Sequence, residues 1–294
     1  THFDYHSIDH NLLKLDILGH DDPTMIRTLE DYITSDAMEN EYNEEHPFVA
    51  TEIPLDDKKV IELFHGTEIL GIKPEDIDGC KLGCLGIPEF GTDFVIQMVQ
   101  DTKPQTLSDL IRISGLSHGT NVWLGNAQEL VKSGKATIST AICTRDDIMI
   151  YLINKGVESA LAFTIMESVR KGKGLKPEWE EAMKAQDVPD WYIWSCKKIS
   201  YMFPKAHAAA YVMMAYRIAY CKINYPLAYY GAYFGIRADA FSYAIMCQGK
   251  DKLNYYMKDY KKRSDTLTKK EQDVMKDMKL SLIHISEPTR LGMI

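Results

Sequence analysis

Apolar and polar positions alternate near the start of the chain, and apolar positions then recur at helical spacing along most of it. In the run LLKLDILG, Leu13, Leu15 and Ile17 fall on one side of an extended chain and Asp16 falls on the other. A period of two with branched side chains predicts a strand. The residues that follow, with Pro23 suited to a first helical turn, predict a helix through MIRTLEDYI.

Beyond residue 56 the pattern predicts helices separated by proline, glycine and polar turns. Residues 35–55 are acidic and predict an irregular connection. The predicted helices lie in LDDKKVIELFHG, IPEFGTDFVIQMVQDTKP, TLSDLIRISG with its end at Gly115, TRDDIMIYLINKG, ESALAFTIMESVR, the long segment from Pro204 that stops before Pro226, and a basic segment over roughly 250–279. The chain is therefore predicted to be mainly α-helical.

Composition narrows the class of protein. No apolar run approaches the roughly 20 residues of a membrane helix, so the sequence predicts no membrane span. The six cysteines are too sparse for a disulfide framework and indicate free thiols. Cys80 and Cys84 are close in sequence, but no second pair of ligands follows at zinc-site spacing, and zinc is not predicted.

Charge is unevenly distributed, although the net charge is only −8. Residues 1–100 contain 6 Lys and Arg against 22 Asp and Glu, whereas residues 101–294 contain 28 against 20. The second part of the chain can therefore present a basic face to an anionic partner. The ordinary alternative is that both parts are simply solvated surface.

Asp16 is a candidate for metal chemistry. A carboxylate on a strand can hold a divalent cation at a fixed height above a sheet, and oxygen ligands suit Mg²⁺. Nucleotidyl transfer uses two such ions about 4 Å apart. An isolated strand carboxylate is, however, more often an ordinary surface residue.

Three further segments are candidates for binding phosphate. Arg170, Lys171 and Lys173 alternate with glycines that would let backbone N–H groups approach phosphate oxygens. The alternative is a cationic helix end, and the segment is not a Walker loop. Arg112 and His118 lie in RISGLSHGTNVW, whose composition suits a loop near a phosphate, although a single histidine there is more often structural.

The segment FPKAHAAAY combines cations with an aromatic ring. Lys205 and His207 would lie at the positive end of a helix, where anions are favoured. His207 and Tyr211 are four residues apart and would share one face. This combination suits a nucleotide, and the alternative is an ordinary core helix.

Taken together, these segments resemble the PolC-type DNA polymerase III alpha subunit of Gram-positive-type bacteria. The matching stretches are THFDYHSIDHNLLKLDILGHDDPT, LGIPEFGT, ISGLSHGTNVWLGNAQ, RDDIMIYLI, IMESVRKGKGL and YMFPKAHAAAYVMMAYRIAYCKINYPLAYYGAYF. They run in family order to about residue 245. Asn121 and Ile96 depart from the resemblance, because an acidic and a basic residue are expected there.

The resemblance implies a helical fingers domain preceded by the terminal strand of an α+β palm. We expect the end of the palm at residues 1–35, the fingers at 36–235, the start of a duplex- and clamp-binding region at 236–280 and a non-native tail at 281–294. Asp16 would be the third metal-binding aspartate of the palm, with two Mg²⁺ ions in the complete enzyme. The residues expected to face the incoming deoxynucleoside triphosphate are Arg170, Lys171, Lys173, Lys205, His207, Tyr211, Arg112 and His118.

The implied function is template-directed addition of deoxynucleotides to a primer 3′-hydroxyl by a replicative DNA polymerase in the bacterial cytoplasm, at the nucleoid. The implied partners are primer–template DNA, deoxynucleoside triphosphates, the sliding clamp and other replisome subunits. The other two palm aspartates would lie upstream of Thr1, so we expect this piece to be inactive alone. The alternative is a non-catalytic nucleic-acid-binding module; a stand-alone nucleotide-binding enzyme is disfavoured because no Walker, Rossmann or kinase signature is present.

Overall fold

Helices account for the regular structure of the described chain. The computed structural model describes residues 4, 7–8, 11–13, 20–35, 38 and 40–287. The α-helices of these residues are α1 Asp21–Thr34, α2 Lys58–Glu62, α3 Asp93–Thr102, α4 Leu107–His118, α5 Gln128–Lys132, α6 Arg145–Asn154, α7 Ser159–Arg170, α8 Pro177–Ala185, α9 Asp190–Lys198, α10 Lys205–Asn224, α11 Pro226–Ala232, α12 Tyr243–Met246, α13 Lys250–Lys262 and α14 Lys269–Ser286. The prediction of a mainly α-helical fold is confirmed.

Extended structure is limited to one pairing in the described residues, an antiparallel bridge between Thr120 and Tyr201. The predicted strand and its Asp16 fall on residues 14–19, outside the described ranges. Leu13, just before them, is 86% exposed. The palm strand therefore stays a prediction. Within the ranges given above, no helix is long and apolar enough to cross a membrane.

Helix α10 lies at the centre of the fold, and it has buried residues from its first turn to its last. Pro204 precedes its first turn and Pro226 begins α11, so both predicted limits are confirmed. Its buried positions include Val212, Ala215 and Ile218. Helices α1, α2, α4, α6 and α11 pack around it. Small alanines on α10 allow these neighbours to approach closely.

Helix α4 does not end at Gly115 as predicted but continues to His118. Gly115 is buried, and a Cβ atom there would lie 2.6 Å from the Thr144 side chain and 2.8 Å from the Cys143 carbonyl oxygen. The glycine therefore serves close packing against the segment before α6. The prediction was wrong because a glycine required for packing was interpreted as a helix stop.

The predicted basic helix over 250–279 is two helices, α13 and α14, joined by a short 3₁₀ turn at Ser264–Thr266. Thr268 starts the second helix: its hydroxyl accepts from the Glu271 N–H, and the Glu271 carboxylate accepts from the Thr268 N–H. The helix also extends past residue 279 to Ser286, because Leu282 continues the apolar spacing set by Met278 and Val274. The foreign origin of residues 281–294 stays a prediction.

A short extended piece, the 199–204 segment, ties three helix ends together through its main chain. The Thr120 N–H donates to Tyr201 at 2.9 Å, which joins the segment to the turn after α4. Two further main-chain bonds reach other helices: the Met202 N–H donates to the Arg170 carbonyl at the end of α7 at 3.3 Å, and the Arg145 N–H at the start of α6 donates to the Phe203 carbonyl at 3.1 Å. The segment leads directly into α10 and brings the ends of α4, α6 and α7 to its first turn.

Candidate functional site

Asp147, near the start of α6, lies close to two of the predicted cations, Arg112 and Lys205. It is the third residue of that helix, and its Oδ2 atom accepts from the N–H groups of Thr144 at 2.9 Å and Cys143 at 3.2 Å. The same oxygen lies 3.7 Å from Nη1 of Arg112, and Oδ1 lies 3.6 Å from Nζ of Lys205. Cations from α4 and α10 are therefore held side by side by one capping carboxylate.

One main-chain N–H group in the first turn of α10 already has a hydrogen-bond acceptor within the protein. The N–H of Lys205 donates to Oδ2 of Asp146 at 2.7 Å. A carboxylate at this position is expected, since the exposed N–H groups and the helix dipole favour negative charge. The ammonium of Lys205 is the more available group, because its side chain is 39% exposed.

Five rings form a continuous aromatic row beside these cations. His118 stacks on Phe203 with ring centroids 4.7 Å apart, and Phe203 meets His207 edge-to-face at 5.0 Å. His207 lies 4.5 Å from Tyr211, and Tyr211 lies 4.3 Å from His20. The expectation that His207 and Tyr211 share a helix face agrees with this geometry. Three of the rings are half-buried and those of His118 and His20 are exposed, so the row lies at the surface of the described structure.

Glu89 fixes the first ring of the row. Its Oε2 atom is 2.6 Å from Nε2 of His118 and accepts from the Ser114 hydroxyl at 3.2 Å. Burial alone would raise the pKa of Glu89, but the bonds from His118 and Ser114 outweigh it and the pKa is lowered. Glu89 also has φ 68°, in the left-handed region that non-glycine residues rarely adopt. A cavity of about 380 Å³ opens beside Glu89 and His118.

The end of α7 carries a second group of cations. The guanidinium of Arg170 donates to Glu167 at 2.9 Å, and the ammonium of Lys171 lies 3.0 Å from the same carboxylate. The hydrogen bond from Arg170, aided by Lys171, lowers the pKa of Glu167 to about 2. Lys173 is exposed in the turn that follows. The Met202 N–H donates to the Arg170 carbonyl, and Phe203 of the aromatic row is the next residue. This bond connects the end of α7 to the aromatic row.

The glycine-containing turn after α7 ends that helix through main-chain hydrogen bonds. The Gly172 N–H donates to Val169 at 2.9 Å and the Lys173 N–H donates to Ser168 at 3.0 Å, the two bonds of a Schellman motif. Gly172 has φ 69°, and a Cβ atom on it would lie 2.6 Å from the Ser200 carbonyl oxygen. The expected backbone cradle for phosphate is therefore wrong at these two N–H groups, since both are already bonded. The lysine side chains remain available.

Metal-binding groups are absent from the residues that the structure describes, in that no three His, Cys, Asp or Glu side chains lie close enough to hold an ion. Asp16, the expected ligand, falls outside those residues. The eight other predicted site residues all fall inside them. They form two adjoining groups: Arg112, His118, Lys205, His207 and Tyr211 around the start of α10, and Arg170, Lys171 and Lys173 at the end of α7.

The finger domain of the bacterial DNA polymerase III alpha subunit matches residues 22–187, more than half of the chain. The chain belongs to this finger-domain family. The match includes Arg112, His118 and the cations of α7. Lys205, His207 and Tyr211 lie beyond its end, on the helix that packs against α4. The predicted boundaries at residues 36 and 235 stay predictions.

Relatives of this finger-domain chain carry the name DNA polymerase III PolC-type. The protein from Bacillus subtilis is 56% identical over 282 residues, covering 96% of this chain, and that from Oceanobacillus iheyensis is 54% identical over the same length. The protein from Staphylococcus aureus is 56% identical over 275 residues and 94% of this chain. The chain spans 18–19% of the length of these relatives.

Several residues of the finger-domain surface were not predicted from the sequence. They are Asp147, Glu89, Phe203 and His20. Asp147 follows Thr144 by three residues, a spacing that indicates a helix cap, but the chain carries no signal that this carboxylate also faces Arg112. Glu89 has no local signal, since its role depends on contact with a helix 29 residues away.

Proposed function

We propose that the chain is part of a replicative DNA-directed DNA polymerase and binds the triphosphate of the incoming deoxynucleotide. The observation that carries the proposal is the position of Arg112 and Lys205 next to the row of rings from His118 to Tyr211. Cations suit phosphate oxygens, and ring faces suit a base or sugar. Membership in the finger-domain family supports the same assignment.

In this proposal the cations of α4, α7 and α10 act by electrostatics and positioning. The primer 3′-hydroxyl attacks the α-phosphate, and negative charge grows on the phosphoryl oxygens and on the leaving pyrophosphate. Fixed cations stabilise that charge without reorganising. The ammonium of Lys205 is held near Asp147, and the guanidinium of Arg170 is oriented by Glu167.

The two Mg²⁺ ions expected for this reaction depend on Asp16 and on residues outside the chain. The residues that the structure describes hold no set of three side chains that could bind such an ion. Asp16→Asn in the complete protein should abolish Mg²⁺-dependent primer extension while binding of primer–template DNA persists. Primer extension and DNA binding are measured on the same preparation, and near-normal extension would remove Asp16 from the metal site.

Lys173→Ala tests the triphosphate surface. Loss of one exposed cation that contributes about 1 kcal/mol should raise KM roughly fivefold, and by the same factor for all four nucleotides, because a phosphate contact does not distinguish bases. Steady-state extension with each nucleotide gives the four values. Lys258→Ala on α13 is the matched control and should leave KM unchanged. A rise confined to one nucleotide contradicts the assignment.

Primer–template DNA, a sliding clamp and other replisome subunits are the proposed partners, and the bacterial nucleoid is the proposed location. The alternative, a nucleic-acid-binding module without catalysis, predicts salt-dependent DNA binding that is indifferent to free nucleotide. The polymerase proposal predicts that the correct nucleotide tightens the complex with primer–template. Titration of labelled primer–template with and without the matching nucleotide separates the two.

A further inference from the structure

We infer that Asp147 limits the affinity of the surface for polyphosphate, and thereby lets the pyrophosphate product leave. The inference rests on the proposed nucleotide binding and adds a residue that opposes it. Asp147 would act on the anion by charge repulsion, from beside Arg112 and Lys205, without touching it.

The carboxylate of Asp147 is fixed by the main chain. Its Oδ2 atom accepts two N–H groups, from Thr144 and Cys143, at 2.9 and 3.2 Å. The side chain is only 12% exposed, whereas those of Arg112 and Lys205 are 18% and 39% exposed. The negative charge thus lies behind the two cations and cannot swing away when an anion binds in front of them.

The distances to the cations exceed hydrogen-bond length. Nη1 of Arg112 and Nζ of Lys205 lie 3.7 and 3.6 Å from Asp147, against the roughly 2.7–3.2 Å of an N–H···O bond. The two cations are therefore held near Asp147 by charge and not by hydrogen bonds to its carboxylate. A polyphosphate can therefore bind without displacing Asp147, and the carboxylate continues to repel it.

The cations of α7 are held differently. Arg170 and Lys171 contact Glu167 at 2.9 and 3.0 Å, so an anion must compete with that carboxylate for their donors. Glu167 can be displaced, whereas Asp147 cannot. Asp147 therefore repels every anion that binds at this surface. The repulsion is larger for an anion of higher charge.

Asp147→Asn removes the charge and keeps an oxygen that can accept from Thr144. We expect about tenfold tighter binding of inorganic pyrophosphate and a larger gain for inorganic tripolyphosphate, because like-charge repulsion scales with ligand charge. Binding is measured by calorimetry on the complete protein that contains this chain, without nucleotide. Asp101→Asn, which removes the same charge beside Lys132, is the control and should change neither affinity.

A purely structural role for Asp147 would weaken the binding of both anions alike. That result, or unchanged affinity, overturns the inference. If the wild-type protein binds neither anion, the proposed triphosphate surface fails instead. Should Asp147→Asn not fold, as judged by its thermal transition, Asp147→Ser supplies a second neutral acceptor at the same helix cap, and the same gain in affinity is required of it.

Discussion

Lys222 is a charged residue placed where charge is least tolerated. It lies on the last turn of α10 and is completely buried. Its ammonium donates to the carbonyl oxygens of Gly83 at 2.7 Å and Leu85 at 2.8 Å. Burial lowers the pKa of Lys222 to about 8, although the charge of Glu287 opposes the shift. The bonds fix the loop that continues to Glu89 and so reach the candidate site.

The pKa of Lys222 predicts an unusual pH dependence of stability. The folded pKa of about 8 lies below the ordinary 10.5, so between these values the unfolded chain binds more protons than the folded one. The free energy of unfolding should therefore increase with pH in that window, by up to about 1.4 kcal/mol per pH unit relative to Lys222→Met. Urea unfolding of both proteins at about pH 7.5 and about pH 9.5 measures this change in the free energy of unfolding. A difference between the two proteins that is the same at both pH values contradicts the prediction.

At the scale of single residues, the sequence shows which side chains are close when they are near in the chain, and not when they are distant. Lys205, His207 and Tyr211 stand close together in the chain, so their common face follows from helix geometry alone. Asp147 is 35 residues from Arg112 and 58 from Lys205. A contact between residues so far apart in the chain depends on how the helices pack. Composition and residue spacing do not predict it.

The packing of α4 against the segment before α6 makes Gly115 a sensitive position. Replacing glycine with alanine inside an exposed helix stabilises a protein by up to about 1 kcal/mol. At Gly115 the new Cβ would instead meet Thr144 and the Cys143 carbonyl at 2.6 and 2.8 Å. We expect Gly115→Ala to lower the free energy of unfolding by about 1–3 kcal/mol, as overpacked sites do.

Urea unfolding of Gly115→Ala and Gly235→Ala gives a matched comparison. A Cβ atom at Gly235 would meet nothing within 4 Å, and its φ is not positive. We expect the Gly235 variant to stay within about 0.5 kcal/mol of the unmodified chain. Equal stability of the two variants would mean that α4 can shift away from Thr144.

Helix limits were predicted well where proline sets them and less well where glycine does. Pro204 and Pro226 bound α10 because proline lacks the N–H that a helix interior needs. Gly115 was misread because glycine either ends a helix or lets another backbone approach it, and only the tertiary structure distinguishes the two. The sequence TKKE has the spacing of a capping box and indicates the start of α14. The basic residues on both sides of it led to the prediction of one continuous helix.

Across the whole molecule, the fold class followed from repeated helical spacing, but the arrangement did not. Helix α10 has too little amphipathic character to indicate which neighbours cover it, since several helices bury it at once. The ion pair between Asp22 of α1 and Arg237 links residues 215 positions apart. Burial raises the pKa of Asp22 despite that guanidinium. Local patterns predict the helices, whereas such distant contacts decide how they assemble.

The 199–204 segment has a consequence for how this region can change in evolution. Its bonds to Thr120, Arg145 and Arg170 are made by peptide N–H and C=O groups, which every residue except proline supplies in full. Exchange of side chains leaves these bonds intact, whereas one inserted or deleted residue shifts their register together. The number of residues between α9 and α10 should therefore be more strictly preserved among relatives than their identity.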